Sequence, residues 1–324
     1  MSDYRIVLRA TGGPEMMERE PVGHIVPGAG EVIVRNTAIG LNFIDTYYRR
    51  GAYPLPLPSG LGSEAAGMIE TVGEGVTGLK PGDRVAYAGA PLGAYATVRA
   101  YPARNLVILP DAIDDRTAAA VMLKGMTADL LVGECGNVQP GQTVLVHAAA
   151  GGVGSLLVPW IKALGATVIA HVGSPEKGER VRALGADHVL HGAFDTLEED
   201  VRAISPAGVD LVLDSVGKAS LPASIACVAR RGLVVSYGNA SGAPDPVSPA
   251  TLQRAGSVFL TRPTMFDYVD TRERLEAAAA RLFARIADGT LKVEIGQTFP
   301  LADVAEAHRA LEGRKTIGST VLIP

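Results

Sequence analysis

The chain has 324 residues, 47% hydrophobic and 20% charged, with a formal net charge of -4 at pH 7. At about 150 residues per domain this length predicts two domains. The basic residues are scattered, which disfavours nucleic acid or an anionic membrane surface as partner, and no apolar run approaches the roughly 18 residues of a membrane span. Met1-Ser2-Asp3-Tyr4-Arg5 has no signal-peptide pattern. Cys135 and Cys227, far apart and outside any metal-ligand spacing, read as free buried thiols of a cytoplasmic protein.

Residues 1 to about 123 are rich in glycine and proline. Short runs at 31–39, 65–72, 84–88, 95–100 and 105–109 are punctuated by turn signals such as Gly73-Glu74-Gly75, Lys80-Pro81-Gly82-Asp83 and Ala90-Pro91-Leu92-Gly93. This pattern predicts a small, strongly bent β-domain. Within it, residues 42–48 concentrate polar and aromatic groups beside a proline-rich loop at 53–58. They read either as a surface loop with one packed aromatic or as a substrate wall, and the residues alone leave both open.

Around residue 120 the pattern changes to strands and helices in alternation. Strands are expected at 143–147, 167–172, 187–190, 209–215, 232–237 and 257–261, with helices between most of them. That predicts a parallel sheet with right-handed crossovers. The first of these strands breaks into His147-Ala148-Ala149-Ala150-Gly151-Gly152-Val153-Gly154 and is followed by an apolar helical stretch at 155–164. Strand, glycine turn and helix are the context of a dinucleotide site: the glycines admit a pyrophosphate, and the helix N-terminus offers it unpaired N–H groups. Ligands of an open parallel sheet bind outside the carboxyl ends of its strands. Asp214-Ser215-Val216-Gly217 and Ser236-Tyr237-Gly238-Asn239 therefore belong on the same rim, although ordinary loops share their composition. Ala-Leu-Gly-Ala occurs at 163–166 and again at 183–186, each time as a helix end with glycine at the stop. A helix at 268–288, a strand at 291–299, a helix at 301–311 and a strand at 319–323 close the chain and are placed to return to the first domain.

The second strand of the sheet decides the cofactor. An NAD site usually carries an acid about 20 residues beyond the glycine turn, bonded to the ribose. Here the strand runs into Gly173-Ser174-Pro175-Glu176-Lys177 with no acid at its tip. Ser174 is a good N-cap with Pro175 at the first helical position, which leaves Glu176 to favour the helix dipole. Lys177, with Arg180, is placed to meet a 2′-phosphate, the alternative being a solvated lysine on a helix. The missing acid points to NADPH.

Zinc catalysis needs three protein ligands and an open position, and the six histidines lack a metal spacing. No Gly-x-Ser-x-Gly elbow or Cys-His arrangement supports nucleophilic catalysis. Asp45 and Glu64 are present, but nothing in the sequence pairs them as acid and base. Hydride transfer requires only that the protein orient the reacting atoms and exclude water. With a quinone, whose product is a stabilised anion, water suffices as proton donor.

The chain resembles the zinc-independent quinone oxidoreductase (zeta-crystallin-like) branch of the medium-chain dehydrogenase/reductase superfamily over nearly its whole length. The resemblance is carried by Asn42-Phe43-Ile44-Asp45-Thr46-Tyr47, Leu61-Gly62-Ser63-Glu64-Ala65-Ala66-Gly67, Leu123-Lys124-Gly125-Met126-Thr127, the glycine turn and its two rim tips, Arg230-Arg231-Gly232-Leu233 and Thr261-Arg262-Pro263. It implies an α/β protein in which a Rossmann-type doubly wound sheet (124–262) accompanies a GroES-like bent β-barrel catalytic domain (1–123), to which residues 263–324 return. It also implies NADPH in the interdomain cleft and a homodimer. Ser63 and Asn42 stand where zinc-dependent relatives place a histidine and a cysteine, so no metal is expected.

Carried over by position, Gly151, Gly152 and Val153 would lie along the pyrophosphate, and Gly173, Ser174 and Lys177 would hold the 2′-phosphate with Arg314 near the same ribose. Ser215, Tyr237, Gly238, Asn239 and Ser241 would flank the dinucleotide. Arg262 and Thr264, with Asn42, Asp45 and Thr127, would complete the cofactor set. Asn42, Tyr47 and Tyr53 would line the acceptor pocket. Relatives often have tyrosines near 129–130 and at 192, where this chain has Asp129-Leu130 and Gly192. His191 is expected to replace the second in part, weakening the preference for NADPH. The expected function is NADPH-dependent quinone reduction by direct hydride transfer. The alternatives are reduction of activated double bonds such as alkenals, and a cofactor-binding protein with little catalysis, in an RNA-binding or lens-type crystallin role.

Overall fold

Strand Glu31–Leu41 is the spine of a seven-stranded sheet, with Val32, Val34, Ile39 and Leu41 buried in one core. It pairs antiparallel with Glu64–Val72 and Val98–Pro102 and, at its far end, with the last strand of the chain, Ser319–Ile323. The computed structural model describes residues 2–313 and 315–324 and divides into two units. The first contains the chain up to Met126 together with Val269–Ala287 and Val293–Pro324; the second contains Thr127–Tyr268 and Asp288–Lys292. A three-stranded sheet of Met17–Pro21, Tyr4–Leu8 and Ser59–Gly60 accompanies the larger sheet in the first unit.

The second unit is built on six parallel strands. In order across the sheet they are His188–His191, Thr167–Val172, Thr143–His147, Val209–Asp214, Val228–Ser236 and Phe259–Thr261. In chain order this is third, second, first, fourth, fifth, sixth, the doubly wound arrangement whose direction reverses beside the first strand. The central strands are buried along nearly their whole length, as continuous Val, Leu and Ile runs require when both faces are covered.

Residues 42–48 are not a loop. Phe43–Arg50 is a helix with Asn42 at its N-cap, where the Asp45 carboxylate accepts the Asn42 backbone N–H (2.9 Å), and it stops at Gly51 in the left-handed region (φ 77°). Asp45, Thr46 and Arg49 are its buried residues. Its polar side chains face the interior, so the usual apolar stripe of a packed helix is missing from the sequence. The helix expected at 268–288 is divided into Met265–Tyr268 and Arg272–Ala287. The last sheet strand is only Phe259–Thr261, because Gly256 (φ 107°) and Ser257 (φ 59°) turn the backbone where a strand from 257 was expected. Tyr4–Leu8 and Met17–Pro21 are strands that the sequence reading did not place.

Candidate functional site

The glycine turn of the second unit is shaped by close packing. A Cβ on Gly154 would lie 2.5 Å from the Ala148 oxygen and 2.6 Å from Ala149 Cα, so only glycine lets helix Gly154–Ala163 begin this near the end of strand Thr143–His147. Val153, at the N-cap, provides no side-chain cap. The Ser155 and Leu156 N–H groups of the first helical turn donate to the Gly151 and Val153 carbonyls (2.8 and 3.0 Å), so the glycine turn is bonded directly onto the helix N-terminus, whose positive dipole end it extends. On the neighbouring strand Thr167–Val172, Gly173 has open space around it, and Ser174 caps helix Pro175–Ala183 by accepting from the Lys177 N–H at 3.5 Å. Ser174 and Lys177 are half-buried, while His191, at the end of the next strand, is exposed. This donor set suits a phosphate: a capped N-terminus, a lysine in the first turn, and no acid at the strand tip.

The rim beyond it is equally tight. A Cβ on Gly238 would lie 2.3 Å from the Ser215 oxygen, and one on Gly217 (φ 88°) 2.7 Å from the Gly242 oxygen. The turns after the fourth and fifth strands therefore touch backbone to backbone. Arg262 Nη1 donates to the Ser236 and Gly238 carbonyls at 3.0 Å each. A cavity of about 470 Å³ opens here, lined among others by Ser236, Asn239, Pro244, Val247, Thr261 and Arg262. Ser215, Tyr237, Gly238, Asn239 and Ser241 are thus gathered along one edge with Arg262, and the Ser241 hydroxyl donates to the Val216 carbonyl at 2.8 Å. Thr264 and Arg262 are exposed, and Thr127 is half-buried on helix Asp115–Val132. Arg314 lies outside the described residues.

Below the rim is a buried network absent from the sequence reading. Asp214 accepts from the Val216 and Gly217 N–H groups (2.8 and 3.1 Å), from Ser220 Oγ and from Ser224 Oγ (2.7 Å each). Ser224 Oγ in turn lies 2.9 Å from His147 Nε2. The Ser224 hydrogen is committed to the carboxylate, so His147 donates from Nε2. Burial pulls the His147 imidazole down to about 4. Asp214 is therefore an anchor of the turn that carries Ser215.

In the first unit the helix N-terminus at Asn42 organises a second cluster. Asn42 Nδ2 donates to Glu64 Oε1 (2.7 Å), which also receives Lys124 Nζ (2.8 Å), while Glu64 Oε2 accepts the Leu123 N–H (2.6 Å). Asp45 is fully buried: its Oδ1 accepts the Ser63 hydroxyl at 2.5 Å and its Oδ2 the Tyr95 hydroxyl at 2.8 Å. Its carboxylate is enclosed by protein donors, which makes it a support for Asn42 and Ser63 where the resemblance placed it among cofactor contacts. The Tyr47 and Tyr53 rings meet at a tilt of 59° with centroids 5.2 Å apart, and the Phe43 ring lies 5.7 Å from Tyr47. Both tyrosines are half-buried and form an aromatic wall one helical turn beyond Asn42.

Asn42 and Ser63 are hydrogen-bonded to protein carboxylates, and among the described residues no three His, Cys, Asp or Glu side chains converge on a point. The sequence did carry a signal for this cluster. Glu64 and Lys124 are charges set inside stretches of small and apolar residues, Leu61-Gly62-Ser63-Glu64-Ala65-Ala66 and Leu123-Lys124-Gly125-Met126, where only a buried pair is tolerated.

Residues 28–111 match the alcohol dehydrogenase GroES-like domain family, and residues 184–322 match the zinc-binding dehydrogenase family. A quinone oxidoreductase of Pseudomonas aeruginosa is 49% identical over 99% of this chain and 99% of its own. A 2-haloacrylate reductase of a Burkholderia species is 44% identical over 98% of both chains. The crystal structure of Escherichia coli quinone oxidoreductase complexed with NADPH superposes with a TM-score of 0.97 at 44% identity, covering 99% of this chain and all of that one.

Proposed function

Because the chain belongs to the quinone oxidoreductase family of medium-chain dehydrogenases/reductases, we propose that it reduces quinones with NADPH, without a metal, as a zeta-crystallin-like cytoplasmic enzyme. The observation that carries the cofactor half of this reading is the pair of neighbouring strand ends in the second unit. One presents the glycine turn and an uncapped helix N-terminus to a pyrophosphate, and the other presents Ser174 and Lys177, with no acid at the strand tip, to a 2′-phosphate. NADPH, when bound, supplies the hydride.

The chain's own residues position and enclose. The backbone N–H groups at Gly152 and Val153 would hold the pyrophosphate, and Arg262 keeps the rim turns in place through the Ser236 and Gly238 carbonyls. Asn42, fixed by Glu64, would hydrogen-bond the acceptor, and the Tyr47–Tyr53 pair would present aromatic faces to a flat ring. Quinone identity and cofactor choice are tested together by NADPH oxidation with a small quinone, run beside NADH and a panel of alkenals and haloacrylates. Quinone-dependent turnover preferring NADPH is expected. Turnover with double-bond acceptors alone would move the enzyme to the chemistry named for its haloacrylate-reducing relative.

We extend the proposal to a homodimer. Phe259 is 61% exposed on the edge strand Phe259–Thr261, whose free backbone groups invite a second copy. Phe259→Asp is expected to halve the mass found by sedimentation; an unchanged mass would remove this strand from the interface.

A further inference from the structure

We propose that His171 is a positioning residue for cofactor choice: by holding the Gly192 peptide it fixes His191 beside Ser174 and Lys177, and through His147 it ties that corner to the turn carrying Ser215. This rests on the NADPH reading above, and every residue in it belongs to the second unit.

His147 and His171 stand side by side in register at the carboxyl ends of Thr143–His147 and Thr167–Val172. Both are buried, with ring centroids 5.3 Å apart and planes at 87°. Phe194 packs on the two rings, 5.4 Å from His147 and 4.9 Å from His171. Each imidazole is bonded away from the other. His147 Nε2 donates to Ser224 Oγ, which leads to Asp214 and the N–H groups of Val216 and Gly217. His171 is bonded to the Gly192 backbone, and that bond favours the charged ring, so the imidazole donates and the carbonyl accepts. One polar line therefore crosses the ends of four neighbouring strands, from His188–His191 to Val209–Asp214.

Packing alone does not account for the pair. His147 Nδ1 and His171 Nε2 are buried with no hydrogen-bond partner. A buried acceptor without a donor destabilises the fold, and an apolar residue of similar size beside Phe194 would avoid that loss. What the histidines add is their bonds to Ser224 and Gly192. Those bonds fix opposite tautomers, with the hydrogen on Nε2 of His147 and on Nδ1 of His171.

The consequence lies at the strand tips. Val172 is the register partner of His191. From that pair one tip runs into Gly173, Ser174 and Lys177, and the other into Gly192, whose φ of 121° turns the backbone. Apart from its chain neighbours, no atom lies within 4 Å of the Cβ position at Gly192. No packing at that position fixes the turn, and the His171 bond orients its peptide. His191, exposed and one residue earlier, is thereby kept beside the phosphate donors. A group held in place before the ligand arrives loses less freedom on binding, and here the gain falls on the 2′-phosphate alone.

The first test needs no cofactor. Long-range nitrogen–proton NMR correlations of the whole protein, with the His171 signals identified by their loss in His171→Asn, should show His171 as the Nδ1–H tautomer. His171 with its hydrogen on Nε2 overturns the proposal whatever cofactor binds. Next, dissociation constants for NADPH and NADH are measured by nicotinamide fluorescence. His171→Leu should weaken NADPH about tenfold, the low end for a charge-assisted hydrogen bond, and leave NADH unchanged, where a merely structural loss would weaken both alike. His171→Asn, whose amide nitrogen stands in the place of Nδ1, should restore the parent preference. In a His191→Ala background, His171→Leu should have no further effect on NADPH. Equal changes for both cofactors, or an effect of His171→Leu that survives in the His191→Ala background, overturns the proposal. Should His171→Leu not fold, as read by Trp160 fluorescence, His171→Gln moves the donor to the place of Nε2 and is judged by the same outcomes. A parent that binds NADPH no better than NADH overturns the NADPH reading, and this proposal with it, before any variant is made.

Discussion

Lys124 Nζ lies 2.8 Å from Glu64 Oε1, with both side chains buried. Asn42 and the Leu123 N–H satisfy the same carboxylate. Removing one member of a buried pair leaves an uncompensated charge, a loss of about 3–5 kcal/mol. Lys124→Met should therefore lower the melting temperature sharply. Glu64→Gln/Lys124→Met together should cost less than Lys124→Met alone, and calorimetry of the three variants decides it. A double variant no better than the single one would mean that packing, not charge, governs the site.

Gly154→Ala should damage the second unit. Alanine normally favours a helix by about 1 kcal/mol over glycine, but here its Cβ would meet backbone at 2.5–2.7 Å. Overpacking costs about 1–3 kcal/mol, so a net loss is expected together with weakened NADPH binding. Trp160, the single tryptophan, sits in the same helix and reports unfolding by fluorescence. A rise in stability would show that the helix can back away from the strand.

Lys177→Ala should raise the dissociation constant for NADPH far more than that for NADH. A charge-assisted hydrogen bond is worth roughly 1.5–3 kcal/mol, or about 10- to 150-fold. Equal changes for the two cofactors, measured by titration of nicotinamide fluorescence, would take the lysine out of the phosphate site.

Acid should weaken the two units differently. His147 in the second unit is held to about 4 by burial, and burial lowers His171 as well. The unfolded chain binds these protons below about pH 6.5 and the folded one does not. Stability is therefore complete above that pH and falls as pH drops toward 4, by up to about 1.4 kcal/mol per unit for each histidine. In the first unit His308, held to about 3, acts in the same sense. Asp45, pushed up to about 6, acts in the opposite one: the folded form keeps its proton between pH 6 and 4 where the unfolded form has lost it. The urea midpoint read by Trp160 should drop between pH 7 and 5, with Asp45→Asn leaving that drop unchanged. A flat midpoint would place the buried histidines in a more polar setting than their contacts indicate.

The legible parts of this chain were those whose cause is local. Thr143–His147, Thr167–Val172 and Ser319–Ile323 follow the expected bounds, because continuous apolar runs between turn residues have one economical conformation. The Ser174-Pro175 helix start was readable for the same reason, a cap and a fixed φ being properties of two adjacent residues. Helix Phe43–Arg50 was not, since its buried face is polar and its partners come from distant parts of the chain. The periodicity that marks helices rests on apolar burial, and here hydrogen bonds replace it.

The sequence by itself determined the doubly wound sheet, the glycine turn, the absence of an acid at the second strand tip and the family of the chain. Only the tertiary structure decided what Asp45 and Glu64 do. Tyr95 meets His308 across 213 positions and Lys124 meets Glu64 across 60, and no spacing rule spans such distances. A carboxylate's chemistry depends on which donors reach it and how much water is excluded, and folding sets both by bringing remote segments into one buried cluster.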